Sequence, residues 1–513
     1  MVDAKAEAAS TGGRWTLLVT ILASSVVFAD MTIVNLALPV MQREFDATFS
    51  TLQWVVEAYV LLLCALMLTG GGLADRFGRR RVLCAGAWMF GLASLMAATA
   101  PDSHWLIAAR ALQGIGGALL APASLALVSA AFADGQRGRA FGIWAAFSGV
   151  ATAFAPPVGG LLMELWSWRA AFYVNLPVIV IILIVAPWRV PESRARDADS
   201  QLDWRGAALA IVTLGAFTYA LLSAGELGLG ASRVVVALLV ALCGGLAFIA
   251  VEQRVDHPML PLALFRSRVF TGLNVMTLVL FTAVGAVMFF LPMLLMQAYG
   301  YSPLQAGAAV IPSMLTMFVV SPAIGKWADR NGTRIPLMVG PWVSAAAYVL
   351  LANQTSSYYW DGLWFAIVMM GLGFGLWVTP LTTAVMSSVG AEHSGIASGI
   401  NNAVARMAQL VAIAIMGLVA GLAFRTELAQ ALPGSGLGRG IATELMNGAH
   451  KLGALQAPGP ATGAEESIIK DLVRDSFAQA FGVVAYVSAS LCVVASALGA
   501  WAMGGSLNGV HDR

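Results

Sequence analysis

Of 513 residues, 59% are hydrophobic and only 11% charged, with a mean hydropathy of +0.80 and a net charge of +2. Such a chain excludes a soluble enzyme and offers nucleic acid no basic, aromatic-interleaved surface; it describes a polytopic membrane protein. Cys64, Cys84, Cys243 and Cys492 lack CxxC spacing and the five histidines are scattered, so neither a disulfide framework nor a metal site is expected.

Windows of about 19 residues pick out apolar runs near 15–40, 50–73, 82–100, 104–131, 138–163 and 169–188, then two near 205–224 and 233–251. Six more follow near 268–297, 303–325, 335–353, 361–388, 395–423 and 477–503. The first run is too long for a signal peptide and has no small-residue cleavage site, so it reads as a retained span. Arginines crowd alternate loops, from Arg76, Arg79, Arg80 and Arg81 through Arg189, Arg194 and Arg205 to Lys326, Arg330 and Arg334. By the positive-inside rule those loops and both termini are cytoplasmic. The long outer segment, about 424–476, holds a flexible GALQAPGPATGA stretch and then SIIKDLVRDSFAQAF, an amphipathic helix expected on the membrane surface before the last span.

The architecture follows from an internal repeat. Gly71 to Arg80, GGLADRFGRR, recurs as Gly325 to Arg334, GKWADRNGTR, with six of ten positions identical and each copy after the second span of its set. The expected fold is all-α: two six-helix bundles, residues 1–190 and 261–513, with two extra central spans in 191–260. Parallel repeats of this kind place a substrate site near the bilayer midplane and transport by rocking.

Asp30 lies inside the first run, in VVFADMTIVNLALP. A charged side chain at that depth costs a few kcal/mol or more, which marks it as functional. At 1.5 Å per residue, Asp30, Glu57 and Arg110 all sit about 10–15 Å below the outer surface. They form a candidate proton-coupling pocket in which Arg110 holds one carboxylate ionised while the other carries the proton, Asp30 being the first choice and Glu57 the second. The alternative is a permanent Arg110 ion pair that only fixes packing.

The loop after the second span needs a tight turn, supplied by Gly71 and Gly78. Asp75 with Arg76, Arg79 and Arg80, and Asp329 with Arg330 in the second copy, form a charge cluster suited to a conformational latch. Asp75 is also suited to the positive N-terminal end of the span beginning near Ser394. A purely topogenic loop is the alternative. Arg406, about twelve residues into its span, has no acidic residue at its depth in the last six spans, and its partners are backbone carbonyls, a first-half carboxylate or an anionic substrate group. A cavity of adaptable apolar surface is expected from Phe281, Met288, Phe289 and Trp377 with Trp54 and Tyr59. Asn35, Gln113, Asn401 and Asn402 add hydrogen-bonding capacity there.

GGLADRFGRRRVL resembles the signature loop of the major facilitator superfamily, and Arg110-Ala-Leu-Gln113-Gly114-Ile-Gly116 resembles its proton-coupling arginine motif. The fifth span resembles the antiporter motif at Gly142, Pro156, Gly159 and Gly160, and departs from it at Ala151 and Ala155. Asp30 to Pro39, Gln53 to Tyr59, and Trp168-Arg169 through Asn175-Leu-Pro177 are similar to the fourteen-span drug:proton antiporters. The resemblance implies the major facilitator fold and multidrug efflux of the antibiotic-resistance kind. Hydrophobic or cationic compounds would leave across the inner membrane, driven by the proton gradient, with no cofactor, no metal and a monomer as the working unit. No GxxxxGK[ST] nucleotide loop competes with that driving force. Export of a lipid or an endogenous metabolite is an alternative within the fold. A membrane sensor or enzyme would need a signalling domain or polar catalytic cluster, which the sequence does not display.

Overall fold

The structure is a computed structural model that describes residues 2–132, 134–194, 203–255, 258–354, 356–390, 394–459 and 463–503. Among them every regular element is helical, as the bilayer demands of backbone groups that find no water to bond. Fourteen helices are long and apolar enough to cross a membrane. They are α1 (Gly12–Phe45), α2 (Phe49–Phe77), α3 (Arg79–Ala98), α4 (Ser103–Ala131), α5 (Gln136–Leu165), α6 (Ala170–Arg189), α7 (Trp204–Leu227) and α8 (Ser232–Glu252). The second set is α9 (Arg268–Ala298), α10 (Pro303–Asn331), α11 (Arg334–Ala352), α12 (Tyr359–Ser387), α13 (Ile396–Gly434) and α14 (Gly463–Met503). Every predicted span has its helix.

The chain divides into two compact units. One comprises residues 1–41, 54–217 and 237–259; the other comprises 42–53, 218–236 and 260–513. The central helices α7 and α8 therefore form no third unit, and each is shared between the two. The first unit packs α3 against α4 and α6. In the second, α9 packs on α13 and α14, α11 on α12 and α14, and α10 on α12.

The repeat survives in three dimensions. Gly78 (φ +108°) and Gly332 (φ +88°) both hold left-handed backbone that other residues rarely adopt. Each donates its N–H to an alanine carbonyl four residues back, Ala74 at 3.1 Å and Ala328 at 2.8 Å. The turn after the second helix is thus built the same way twice.

One expectation is corrected. SIIKDLVRDSFAQAF is not a separate surface helix, because α14 runs unbroken from Gly463. No proline divides it from the apolar run, and the helix passes through Gly482 without a break. Its stripe of Ile469, Val473 and Phe477 is buried, while Arg474 meets Asp471 and Asp475 on the exposed side. The segment between α13 and α14 also contains a short helix, Arg439–Gly448. Of the stretch expected to be flexible, Gly453 abuts Gln297 and Phe477, and residues 460–462 lie outside the described residues.

Candidate functional site

The first unit encloses a polar cluster in which Asp30, Ser94, Arg110 and Gln113 are wholly buried and Asn175 is nearly so. Arg110 and Gln113 stand three residues apart on α4 and so share a face. Arg110 Nη1 donates to Asp30 Oδ2 and to Gln113 Oε1 (2.8 Å), and its Nε donates to the Val55 carbonyl (3.0 Å). Asp30 Oδ1 accepts from Asn175 Nδ2 (2.9 Å) and from Gln113 Nε2 (3.3 Å). Ser94 Oγ in turn accepts from Gln113 Nε2 (2.9 Å) and Asn175 Nδ2 (3.4 Å). The guanidinium lies 4.3 Å from the centre of the Tyr59 ring and 5.9 Å from that of Phe172, a cation–π setting in a desolvated site. Gly114 allows this convergence, since a Cβ there would lie 2.5 Å from the Tyr59 carbonyl oxygen.

The structure therefore joins Asp30 to Arg110 and leaves Glu57 apart. Glu57 is fully buried, and neither of its carboxylate oxygens has a hydrogen-bond partner among the described residues. Depth alone had grouped the three, whereas direction separates them. Residues two apart on a helix point about 200° apart, and on α2 the face toward Arg110 belongs to Tyr59, whose hydroxyl donates to the Val27 carbonyl (3.0 Å). Arg110 Nη2 also has no partner among the described residues.

At the signature loop, Asp75 pairs with Arg79 (2.8 Å), and Arg79 reaches the Ala126 carbonyl (3.3 Å). Arg76 lies over the Phe77 ring. The carboxylate at the N-terminus of α3 is Glu192, which accepts from the N–H groups of Arg80 (3.0 Å) and Ser193 (3.1 Å). It stands 3.6 Å from Arg80 Nε and 3.9 Å from Arg81 Nε, and it occupies the space that a Cβ on Gly78 would need. A negative charge there complements the helix dipole of α3. Gly71 faces Pro122. In the second copy Asp329 and Arg330 are exposed and make no ion pair among the described residues.

Of the antiporter-motif positions, Pro156, Gly159 and Gly160 are buried and Gly142 is exposed. Gly159 brings α5 against Ile33 of α1. Several residues expected to line a cavity are instead spent on packing. Trp377 is fully buried, donates Nε1–H to Ser344 Oγ (3.2 Å) and stacks edge-on with Phe281 (5.5 Å) and Phe374 (4.8 Å). Phe289 is closed in by Phe49 and Phe290. Tyr59 and Gln113 belong to the Asp30 cluster, and Asn401 accepts from Thr277 Oγ1 (2.7 Å). Asn35, Trp54, Phe281 and Met288 keep partial exposure and Asn402 is exposed. Arg406, also part-exposed, donates to Gln409 Oε1 (3.1 Å).

Three participants escaped the sequence reading. Asn175 was visible only as part of a resembling stretch, Ser94 as a small residue in an apolar run, and Glu192 as a lone acid in a loop read for its arginines. A polar amide near the start of an apolar span was the available signal for Asn175.

The sequence model of the Major Facilitator Superfamily matches residues 20–413 and 273–507. The chain belongs to that superfamily and is a multi-pass membrane protein. It is 35% identical over 79% of its length to the multidrug resistance protein Stp of Mycobacterium tuberculosis (strain CDC 1551 / Oshkosh), of which 75% is covered. It is 30% identical to the tetracenomycin C resistance and export protein of Streptomyces glaucescens, covering 95% of this chain and 91% of that one. The multidrug efflux pump LfrA of Mycolicibacterium smegmatis (strain ATCC 700084 / mc(2)155) is 29% identical, with 94% and 95% covered. In fold, the chain resembles the crystal structure of a bacterial homolog to the human lysosomal transporter Spinster (TM-score 0.65, 16% identity, covering 95% of this chain and 97% of that one).

Proposed function

We propose that this protein exports hydrophobic, often cationic compounds across the cytoplasmic membrane in exchange for protons, by alternating access. Both termini are then cytoplasmic, one chain is the working unit, and the proton gradient is the driving force with no cofactor. The resistance and efflux relatives support the export of drug-like compounds. One observation carries the coupling: a unit that buries an Asp30–Arg110 pair also buries a second carboxylate, Glu57, with no partner of its own among the described residues.

An unpaired buried charge is far costlier than a paired one. Asp30 is ringed by donors and paired with Arg110, so the carrier of the proton in this reading is Glu57. That reverses the order of preference drawn from depth. A cationic substrate entering the unit, or Arg110 turning its unused Nη2 toward α2, offers Glu57 a counter-charge and releases the proton.

The test is transport by proteoliposomes under an imposed pH gradient, challenged separately with lipophilic cations, neutral drugs and lipids. Substrate-dependent proton movement is expected with cations. Asp30→Asn and Glu57→Gln should each abolish proton-driven transport while leaving insertion intact. Undiminished transport in both would refute the coupling assignment, and proton movement with lipids alone would redirect the substrate class.

A further inference from the structure

Two glycines one turn apart on α13 serve different ends. Gly417 seats a neighbour: a Cβ there would overlap the side-chain amide of Gln53, which donates to the Ile413 carbonyl (2.6 Å). Gly421, four residues on and so on the same face, has nothing within 4 Å of the Cβ it lacks. On α7, Gly225 meets only Leu418 Cδ1, at 4.0 Å. Glycines between membrane helices ordinarily let them close up, as Gly114 and Gly159 do in the first unit. Gly225 and Gly421 border a gap instead.

That gap is a pocket of about 400 Å³, within the range of roughly 300–1,000 Å³ found for small-ligand sites, and every residue lining it belongs to the second unit. Its walls are apolar: Phe49 from the start of α2, Leu221 and Leu222 from α7, Leu418 from α13, and Leu452. Leu452 is buried and holds left-handed backbone (φ +50°), which a bulky residue keeps only where its surroundings enforce it. Glu226 of α7 and Arg425 of α13 complete the lining with opposite charges. Both are exposed, and neither side chain has an ion-pair or hydrogen-bond partner among the described residues. The two charges therefore share a pocket without neutralising each other. In the orientation proposed above, the pocket lies at the outer ends of its helices, where acyl chains meet headgroups. Only 28% of the most apolar stretch of α7 is buried, which puts lipid beside it.

An apolar gap beside lipid takes up hydrocarbon, because water there would wet the leucines. The charges then select the headgroup. A phosphate suits the Arg425 guanidinium, and an ammonium suits the Glu226 carboxylate. An anionic lipid would set its net charge against Glu226, and a lipophilic cation would face Arg425. We infer that the pocket between α7 and α13 binds a zwitterionic phospholipid of the phosphatidylethanolamine type. One chain lies in the gap at Gly225 and Gly421, the phosphate on Arg425 and the ammonium on Glu226. The site goes beyond the coupling reading, and it gives the inserted helix α7 a task apart from the Asp30 cluster.

The test is lipid binding to the delipidated full-length protein in detergent, followed by native mass spectrometry with no substrate and no gradient. Phosphatidylethanolamine should bind more tightly than phosphatidylglycerol. Glu226→Gln and Arg425→Gln should each weaken phosphatidylethanolamine binding about two- to fivefold, the size of one partly exposed charged contact, and Glu226→Gln should erase the preference over phosphatidylglycerol. Gly421→Leu fills the gap and should weaken binding about tenfold, as when two methylenes lose their seat. Arg474→Gln, an exposed change outside the pocket, should leave binding unaltered. Unchanged binding in both Glu226→Gln and Arg425→Gln overturns the inference, and these exposed positions decide it even if Gly421→Leu fails to fold. Equal affinity for the two lipids in the unaltered protein, or an equal loss in Arg474→Gln, overturns it as well. Because binding is read without transport, its outcome is separate from that of the coupling reading.

Discussion

The two units share a helical plan and differ in what they bury. The first encloses a charge network of Asp30, Arg110, Gln113, Asn175 and Ser94, and buries Glu57 of α2 with no hydrogen-bond partner among the described residues. The second gathers aromatic rings, the buried Trp377 with the part-exposed Phe281 and Phe374 in one cluster and the buried Phe49, Phe289 and Phe290 in another. A similar division appears at the duplicated loop. The backbone turn is the same at Gly78 and Gly332, yet only the first copy is stapled by Asp75–Arg79 and Glu192. The same turn recurs in both units, and the side chains then give a buried charge network to one and an aromatic packing surface to the other.

That contrast is open to attack, starting with the ion pair. Arg110→Leu strands Asp30 in a buried site. Removing one partner of a buried pair costs about 3–5 kcal/mol, so proton-driven transport should disappear and the thermal midpoint in detergent should fall. Arg110→Lys should rescue poorly, since a lysine cannot reproduce the fork to Asp30, Gln113 and Val55. Near-normal transport in Arg110→Leu would dissolve the division between the units. The reciprocal change, Trp377→Ala, removes a buried ring and its bond to Ser344, a loss of about 3–5 kcal/mol in stability. Here the pH dependence of whatever transport remains should be unchanged, and a shifted pH profile would show that the second unit takes part in coupling.

A smaller effect is expected at Gly114→Ala, where the added methyl meets the Tyr59 carbonyl. Overpacking of this kind costs about 1–3 kcal/mol. It should lower the thermal midpoint and weaken coupling together by pushing α4 from α2, and a silent variant would mean that the helices have slack. The smallest effect separates the two loops. Glu192→Gln keeps an acceptor for the α3 N-terminus and deletes the charge near Arg80 and Arg81, worth about 0.3–1 kcal/mol for a partly exposed group. Asp329→Asn should cost nothing measurable. Equal losses in thermal midpoint for the two would show that the copies are stapled alike.

Much of this organisation is legible in the chain. The fourteen spans follow from hydropathy because lipid tolerates no unsatisfied backbone. The repeat follows from the residues that a tight turn with a left-handed glycine requires. Asp30 and Arg110 stand out because charge at depth is expensive. Glu57 was identified and misplaced, since rise per residue fixes height while the side chain's direction depends on which face of α2 meets α4. Glu192 was passed over because its role depends on a loop folding back more than a hundred residues onto the start of α3.

Local physics therefore determined what crosses the membrane, where the copies lie and which charges are buried. Only tertiary packing decided that Asp30 is surrounded by donors from two other helices, that Glu57 has no hydrogen-bond partner among the described residues, and that Trp377 and Phe289 are walled in. Hydropathy and helical rise act along one segment and can be read from it. Hydrogen-bond partners and burial arise where segments distant in sequence are brought within a few ångströms, and no single segment carries that information.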